Sequence, residues 1–262
     1  MSTTARILKY QLRDVLRGRW LVAYAAFFLL LTEALLRFGG AGERALLSLV
    51  NVVLFVIPLM SLVFGSIYLY GAREFNELLL SHPVNRRQLF GGLYLGLTVP
   101  LAAAFAAGVA LPFLGRLGSA GGAGALAALL AIGVALTFVF TAIAFLVALR
   151  VDDRARGLGA VVLLWLTLAI VYDGLVLIAA TTLADYPLEK PLLALMLANP
   201  LDLARVLLLM SFDAAALMGY TGAVFTRFFG SLAGIGVSIA ALLGWIALPL
   251  LLASRRFSRK DF

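Results

Sequence analysis

The chain has 262 residues, 63% of them hydrophobic and 13% charged, with 21 Lys+Arg against 13 Asp+Glu and a mean hydropathy of +1.06. A soluble domain is roughly 45–50% apolar and about 25% charged, so this composition excludes a soluble enzyme and a disordered chain. The absence of cysteine excludes disulfide, iron–sulfur and thiolate-zinc frameworks, and a single histidine excludes a multi-histidine metal site. A polytopic membrane protein remains.

The first 19 residues contain Arg6, Lys9, Arg13 and Arg17 at helical spacing, with Leu8, Leu12, Val15 and Leu16 opposite. That pattern predicts a basic amphipathic elbow helix on the anionic inner membrane surface, turning into a span at Trp20. Crossing a bilayer takes about 20 predominantly apolar residues. Trp20–Phe38, Leu46–Tyr70, Leu89–Leu114, Gly124–Leu149, Leu158–Ala184 and Leu232–Ala253 meet that length without the alternation of barrel strands. The fold class is therefore all-α, one transmembrane domain over 1–262 with six spans. Lys and Arg set the orientation: 15 of the 21 fall before Trp20, in the 71–88 and 150–157 loops and after Ala253. The inside-positive bias places those segments, and both termini, in the cytoplasm.

Residues 185–231 are long and still apolar, yet they carry Asp202, Arg205, Asp213 and Arg227 and an Asn199-Pro200 break. Charges facing lipid are expensive. Residues 191–230 are therefore expected as two short amphipathic or re-entrant helices on the outer face. Asn199 suits the cap and Pro200 the first turn of the second, and Asp202 and Arg205, three apart, can pair on it.

Polar residues within the spans are functional candidates. Glu33 and Arg37 lie one turn apart and are expected to pair. Asp173, beside Tyr172, has two readings: a hydrogen-bonded structural residue, or part of a polar lining, with Glu33 and Asn51, that moves when a dimer opens. Met196, Met210 and Met218 lack the close spacing of a copper site and read as packing residues. Gly92/Gly96 and Gly230/Gly234, small residues four apart, are candidate close helix contacts.

The 71–88 loop carries the densest signal. Arg73–Ser81 predicts about two helical turns ended before Pro83, with Glu74 and Glu77 on one side, Leu78–Leu80 forming an apolar patch, and Arg86 and Arg87 following at the membrane surface. Composition alone favours a solvated hairpin with basic anchors. The run Glu77-Leu78-Leu79-Leu80-Ser81-His82-Pro83-Val84-Asn85-Arg86-Arg87 resembles the signature of ABC-2-type transporter permeases. The resemblance implies a coupling helix that docks on an ATPase subunit through Arg73, Glu74, Glu77, Leu78, Leu79, Arg86 and Arg87. The usual Gly-Thr pair before the leucines is replaced by Glu74 and Phe75. Six spans, the elbow and the outer segment match the same family. The Asn199–Arg205 element and the run Gly219–Phe225 are similar to Nos-type permeases of that family.

What the two resemblances imply is a homodimeric, multi-pass subunit of a bacterial inner membrane. It would work with a cytoplasmic ATPase that binds ATP and Mg, so this chain would hold no cofactor or metal and would not itself be an enzyme. A periplasmic partner would dock at Asn199, Pro200, Asp202 and Arg205, and the output would be copper or sulfur delivery for nitrous oxide reductase maturation. Two other readings stand: an ABC-2 exporter of a lipid, drug or peptide, and a membrane anchor that transports nothing. No G-x-x-x-x-G-K-[ST] loop occurs. The basic residues follow membrane topology, which leaves no soluble basic face for nucleic acid.

Overall fold

A computed structural model describes residues 18–39, 42–73, 85–114, 123–182, 189–212 and 231–259. The elbow helix expected before Trp20, the loop residues Glu74, Glu77, Leu78 and Leu79, and Asp213, Met218, Gly219–Phe225, Arg227 and Gly230 lie outside them. Among the described residues the structure is helical and holds no strand.

The helices are α1 (Arg19–Phe38), α2 (Gly42–Gly71), α3 (Arg86–Leu114), α4 (Ala123–Arg150), α5 (Arg154–Thr182), α6 (Glu189–Ala198), α7 (Pro200–Ser211) and α8 (Leu232–Arg259). Six of these, α1–α5 and α8, are long and apolar enough to span a bilayer. In a medium without water a helix satisfies its own backbone, which is why the spans are continuous. α2 and α3 run unbroken through Pro58 and Pro100. The helix ends fall within a few residues of the limits read from hydropathy, because charged or turn residues mark them. Gly39 closes α1 with its amide on Leu35 O at 2.7 Å, and Asp153 caps α5 by accepting from the Arg156 amide at 2.7 Å.

α4 is the hub. It packs most extensively on α2, then on α8, α3 and α7, while α1 lies along α3. Phe140, Phe145, Leu136 and Val139 of α4 are fully buried, meeting Leu62 and Ile57 of α2 and Phe105 of α3 in one apolar core. Gly92 and Gly96 of α3 are buried, and close approach in the core also depends on glycines outside that four-residue spacing. A Cβ on Gly65 would stand 2.7 Å from the Ala144 Cβ, and one on Gly108 would stand 2.7 Å from the Ala25 carbonyl oxygen of α1. Backbone cannot move aside as a side chain can.

Gly108→Leu should therefore push α1 off α3 and cost about 1–3 kcal/mol. Thermal unfolding in detergent reads that loss, and an unchanged midpoint would show that α1 packs elsewhere.

Candidate functional site

Two polar assemblies interrupt the apolar bundle. The first closes the end that holds the α4–α5 turn and the last turns of α8. The final carbonyls of a helix lack intrahelical donors, and at the end of α4 they are taken by three residues from other helices. Arg73, just past α2, donates through Nη1 to Asp152 O at 2.8 Å and through Nη2 to Ala148 O and Val151 O at 3.4 Å. Tyr70 Oη donates to Val151 O at 2.7 Å, and the Arg73 guanidinium stands 4.9 Å from the Tyr70 ring centre. Arg256 Nε of α8 donates to Leu149 O at 3.2 Å. Cations at a helix C-terminus also answer the helix dipole. Across the same end, Arg86 Nη1 at the start of α3 donates to Ser258 O of α8 at 3.3 Å. Arg73 and Arg86, the flanks of the 74–84 loop, are thus tied to different helices. Arg87 is exposed, with its amide on Asn85 Oδ1 at 3.0 Å.

The second assembly lies against the middle of α5. α6 and α7 meet at a 108° bend at Asn199. Asn199 Oδ1 accepts from the Leu201 amide at 3.0 Å and caps α7, with Pro200 in its first turn and Asp202 in the first turn as well. Its Nδ2 donates to Asp202 Oδ2 at 3.1 Å and to Leu168 O at 2.9 Å. Leu168 is the middle residue of α5.

Leu168 O is open to this contact because α5 makes a π turn over Thr167–Val171, in which the Tyr172 amide donates to Thr167 O. In regular α-helix that amide would reach Leu168 instead. Tyr172 Oη then donates across to Leu195 O of α6 at 2.7 Å, and Trp245 Nε1 of α8 donates to Leu197 O at 3.1 Å. Arg205 joins the rest: its Nη1 stands 2.7 Å from Asp173 Oδ2 on α5 and 3.3 Å from Asp202 Oδ1 on its own helix.

The expected pairings are therefore met unequally. Asp202 and Arg205 are in contact, and Arg37 Nε lies 2.6 Å from Glu33 Oε1. Asp173 is bound to Arg205, 32 residues away, and Asn51 is exposed on α2. Asn199, Pro200 and Asp202 face the interior, Asp202 being 2% exposed, so their side chains offer no surface to a docking partner. Of that set only Arg205 is partly accessible, its side chain 33% exposed. The contributions of Leu168, Tyr172 and Trp245 were missed. Tyr172 carried a weak signal as a hydroxyl next to Asp173, but a π turn leaves no mark in hydropathy.

Six helices long and apolar enough to span a bilayer, with a polar bend packed on the middle of one of them, define a polytopic membrane protein. Residues 5–262 match the model of the ABC-2 family transporter proteins, and the chain belongs to that family. A probable ABC transporter permease protein NosY of Pseudomonas aeruginosa is 31% identical over 268 aligned positions, covering 95% of this chain and 94% of that relative. A protein of the same description from Stutzerimonas stutzeri is 28% identical over 280 positions, covering 99% of each.

Removing one partner of a buried ion pair leaves an uncompensated charge and costs about 3–5 kcal/mol. Arg205→Met should incur that loss, whereas Asp173→Asn, at a side chain 36% exposed, should lower the midpoint far less. Equal shifts on thermal unfolding would show that Arg205 acts mainly through Asp173.

Proposed function

We propose that this chain is the membrane subunit of an ABC transporter whose ATP hydrolysis resides in a separate subunit docked on the 71–88 loop. The observation that supports this most directly is the anchoring of that loop. Arg73 grips the α4–α5 turn and Arg86 grips the end of α8, so force on the intervening residues reaches three helices. Glu74, Glu77, Leu78 and Leu79 supply the contact, and Arg87 adds an exposed cation beside it.

The same end faces the cytoplasm in this reading, as the concentration of Lys and Arg there requires. The bend at Asn199 is re-entrant, since its amide meets the middle of α5, and helices lying on the surface would not reach that depth. The protein works as a homodimer in which the outer part of α5 meets its counterpart: Tyr172–Thr182 buries no residue within one chain. Movement of the α4–α5 turn would travel along α5 to the π turn, where a return to regular α-helix would hand Leu168 O back to Tyr172 and release Asn199. Such an element has the two arrangements that coupling needs.

The output, in keeping with the two relatives named NosY, is a periplasmic step of copper or sulfur delivery for nitrous oxide reductase maturation. With no cysteine and one histidine, this chain would leave most of the copper ligands to a periplasmic partner. That partner would meet the outer end of the bundle and not the buried Asn199–Asp202 pair.

Glu77→Ala with Leu79→Ala should abolish co-purification of the ATPase subunit while membrane insertion is kept, and an undiminished pull-down would remove the coupling reading. Orientation is tested separately, since the chain has no native cysteine. Arg154→Cys should react with an impermeant maleimide in inverted vesicles and stay unlabelled in intact cells. The opposite pattern would reverse the topology.

A further inference from the structure

Two hollows on the flank of α8 share residues and form one continuous feature. The first, about 480 Å3, lies at the basic end between the last turns of α4 and α8, and Arg150, Arg255, Arg256 and Arg259 line it above Leu149 and Leu252. Its one acidic residue, Asp152, has its carboxylate 3.6 Å from Arg73. Among the described residues none of the four lining arginines pairs with a carboxylate. Among the described residues only Arg256 of the four is held by the fold, through its Nε on Leu149 O.

The second hollow, about 590 Å3, starts at the same Leu252 and Arg255 and runs along α8 past Leu251, Leu248 and Gly244 to Leu197 and Trp245. Leu248 is 61% and Leu251 59% exposed, so the trough is open along its apolar side. From Arg255 to Gly244 the helix rises about 16 Å at 1.5 Å per residue. That is the depth of one leaflet, about half of a hydrocarbon core of roughly 30 Å.

We infer that this feature is a binding site for one anionic phospholipid, with its phosphate among Arg150, Arg255 and Arg259 and an acyl chain along the trough to Trp245. Charge complementarity selects the head, because a cluster of guanidinium groups with no carboxylate partner among the described residues matches, at a membrane surface, a phosphodiester with a second anionic or hydroxylated group. The apolar trough selects the tail, since chain burial adds to the head's attraction. Arg255 belongs to both hollows and fixes where head gives way to tail. A free phosphate would use only the first hollow, and a second copy of this chain would have to place a carboxylate there. The site depends on neither the ATPase reading nor the homodimer.

The test uses the full chain in mild detergent with phosphatidylglycerol and phosphatidylethanolamine, and native mass spectrometry counts the bound lipid. Phosphatidylglycerol should be retained over phosphatidylethanolamine and should resist millimolar inorganic phosphate. Each basic residue near an anionic group contributes roughly a factor of five, so Arg150→Gln, Arg255→Gln and Arg259→Gln together should weaken retention on the order of 100-fold. Arg256 is left in place because it holds α4.

A Cβ on Gly244 or on Gly236 meets no atom within 4 Å, so both positions accept a larger side chain. Gly244→Phe should fill the trough and expel the lipid with every arginine intact, while Gly236→Phe, outside the trough, should retain it. The proposal is overturned if the triple variant keeps phosphatidylglycerol as the native chain does, or if inorganic phosphate displaces it fully. It is equally overturned if Gly244→Phe leaves lipid retention unchanged or splits a dimer in its place.

Discussion

No water reaches the hydrocarbon interior of a bilayer, so a carbonyl, a ring N–H or a carboxylate there must find its partner within protein. That constraint decides how these helices meet. Trp165 Nε1 donates to Phe55 O at 3.2 Å and joins α5 to α2, Tyr94 Oη donates to Phe138 O at 2.9 Å and joins α3 to α4, and Trp245 joins α8 to α6. Each aromatic ring contributes apolar area and ends in a donor that only another helix can use. Arg205 follows the same logic at higher stakes. A 2%-exposed carboxylate at Asp202 is tolerable because guanidinium and amide donors both reach it.

The apolar pattern alone does not say which spans form the core. α4 and α5 have similar peak hydropathy, 2.6 and 2.4, yet 61% of the α4 window is buried within the chain and 11% of the α5 window. In water an apolar helix must hide from solvent, whereas in lipid it is equally at home inside the bundle or outside it. Fit, and not hydrophobicity, puts α4 at the centre. Gly65 lets Ala144 and Thr141 approach the α2 backbone, and Gly133 makes room for the Phe105 ring.

The same reasoning explains what was legible in the sequence. The spans were, because about 20 apolar residues ending in Arg, Gly or Asp are a local signal. The cap at Asn199, Pro200 at the helix start and the Asp202–Arg205 spacing are equally local, and the structure has all three. Asp173 met a partner 32 residues away, which no helical spacing encodes. The π turn that frees Leu168 O adds one residue to a helix of ordinary composition. Arg73 and Arg86 were visible as basic flanks of the 71–88 loop, but their acceptors are backbone carbonyls, and a carbonyl has no letter in the sequence.

α5 is where the two polar assemblies meet mechanically. It starts at the turn that Arg73 and Tyr70 hold, reaches the bend through Leu168 O and reaches Arg205 through Asp173. Between and beyond these points it contributes little to the core, with Gly157, Val161 and Ala169 its buried residues and none after Val171. A helix with so little buried apolar area is positioned by its polar links, and little packing energy opposes displacement of its far end. α4 has the opposite character, dense in buried aromatic and aliphatic contacts, and a shift of α4 would disturb the whole core. A chain built this way can move α5 against a fixed α2–α4 core at the cost of a few hydrogen bonds, and the bonds at stake are Trp165 to Phe55 O and those that hold Asn199, Asp173 and the α4–α5 turn.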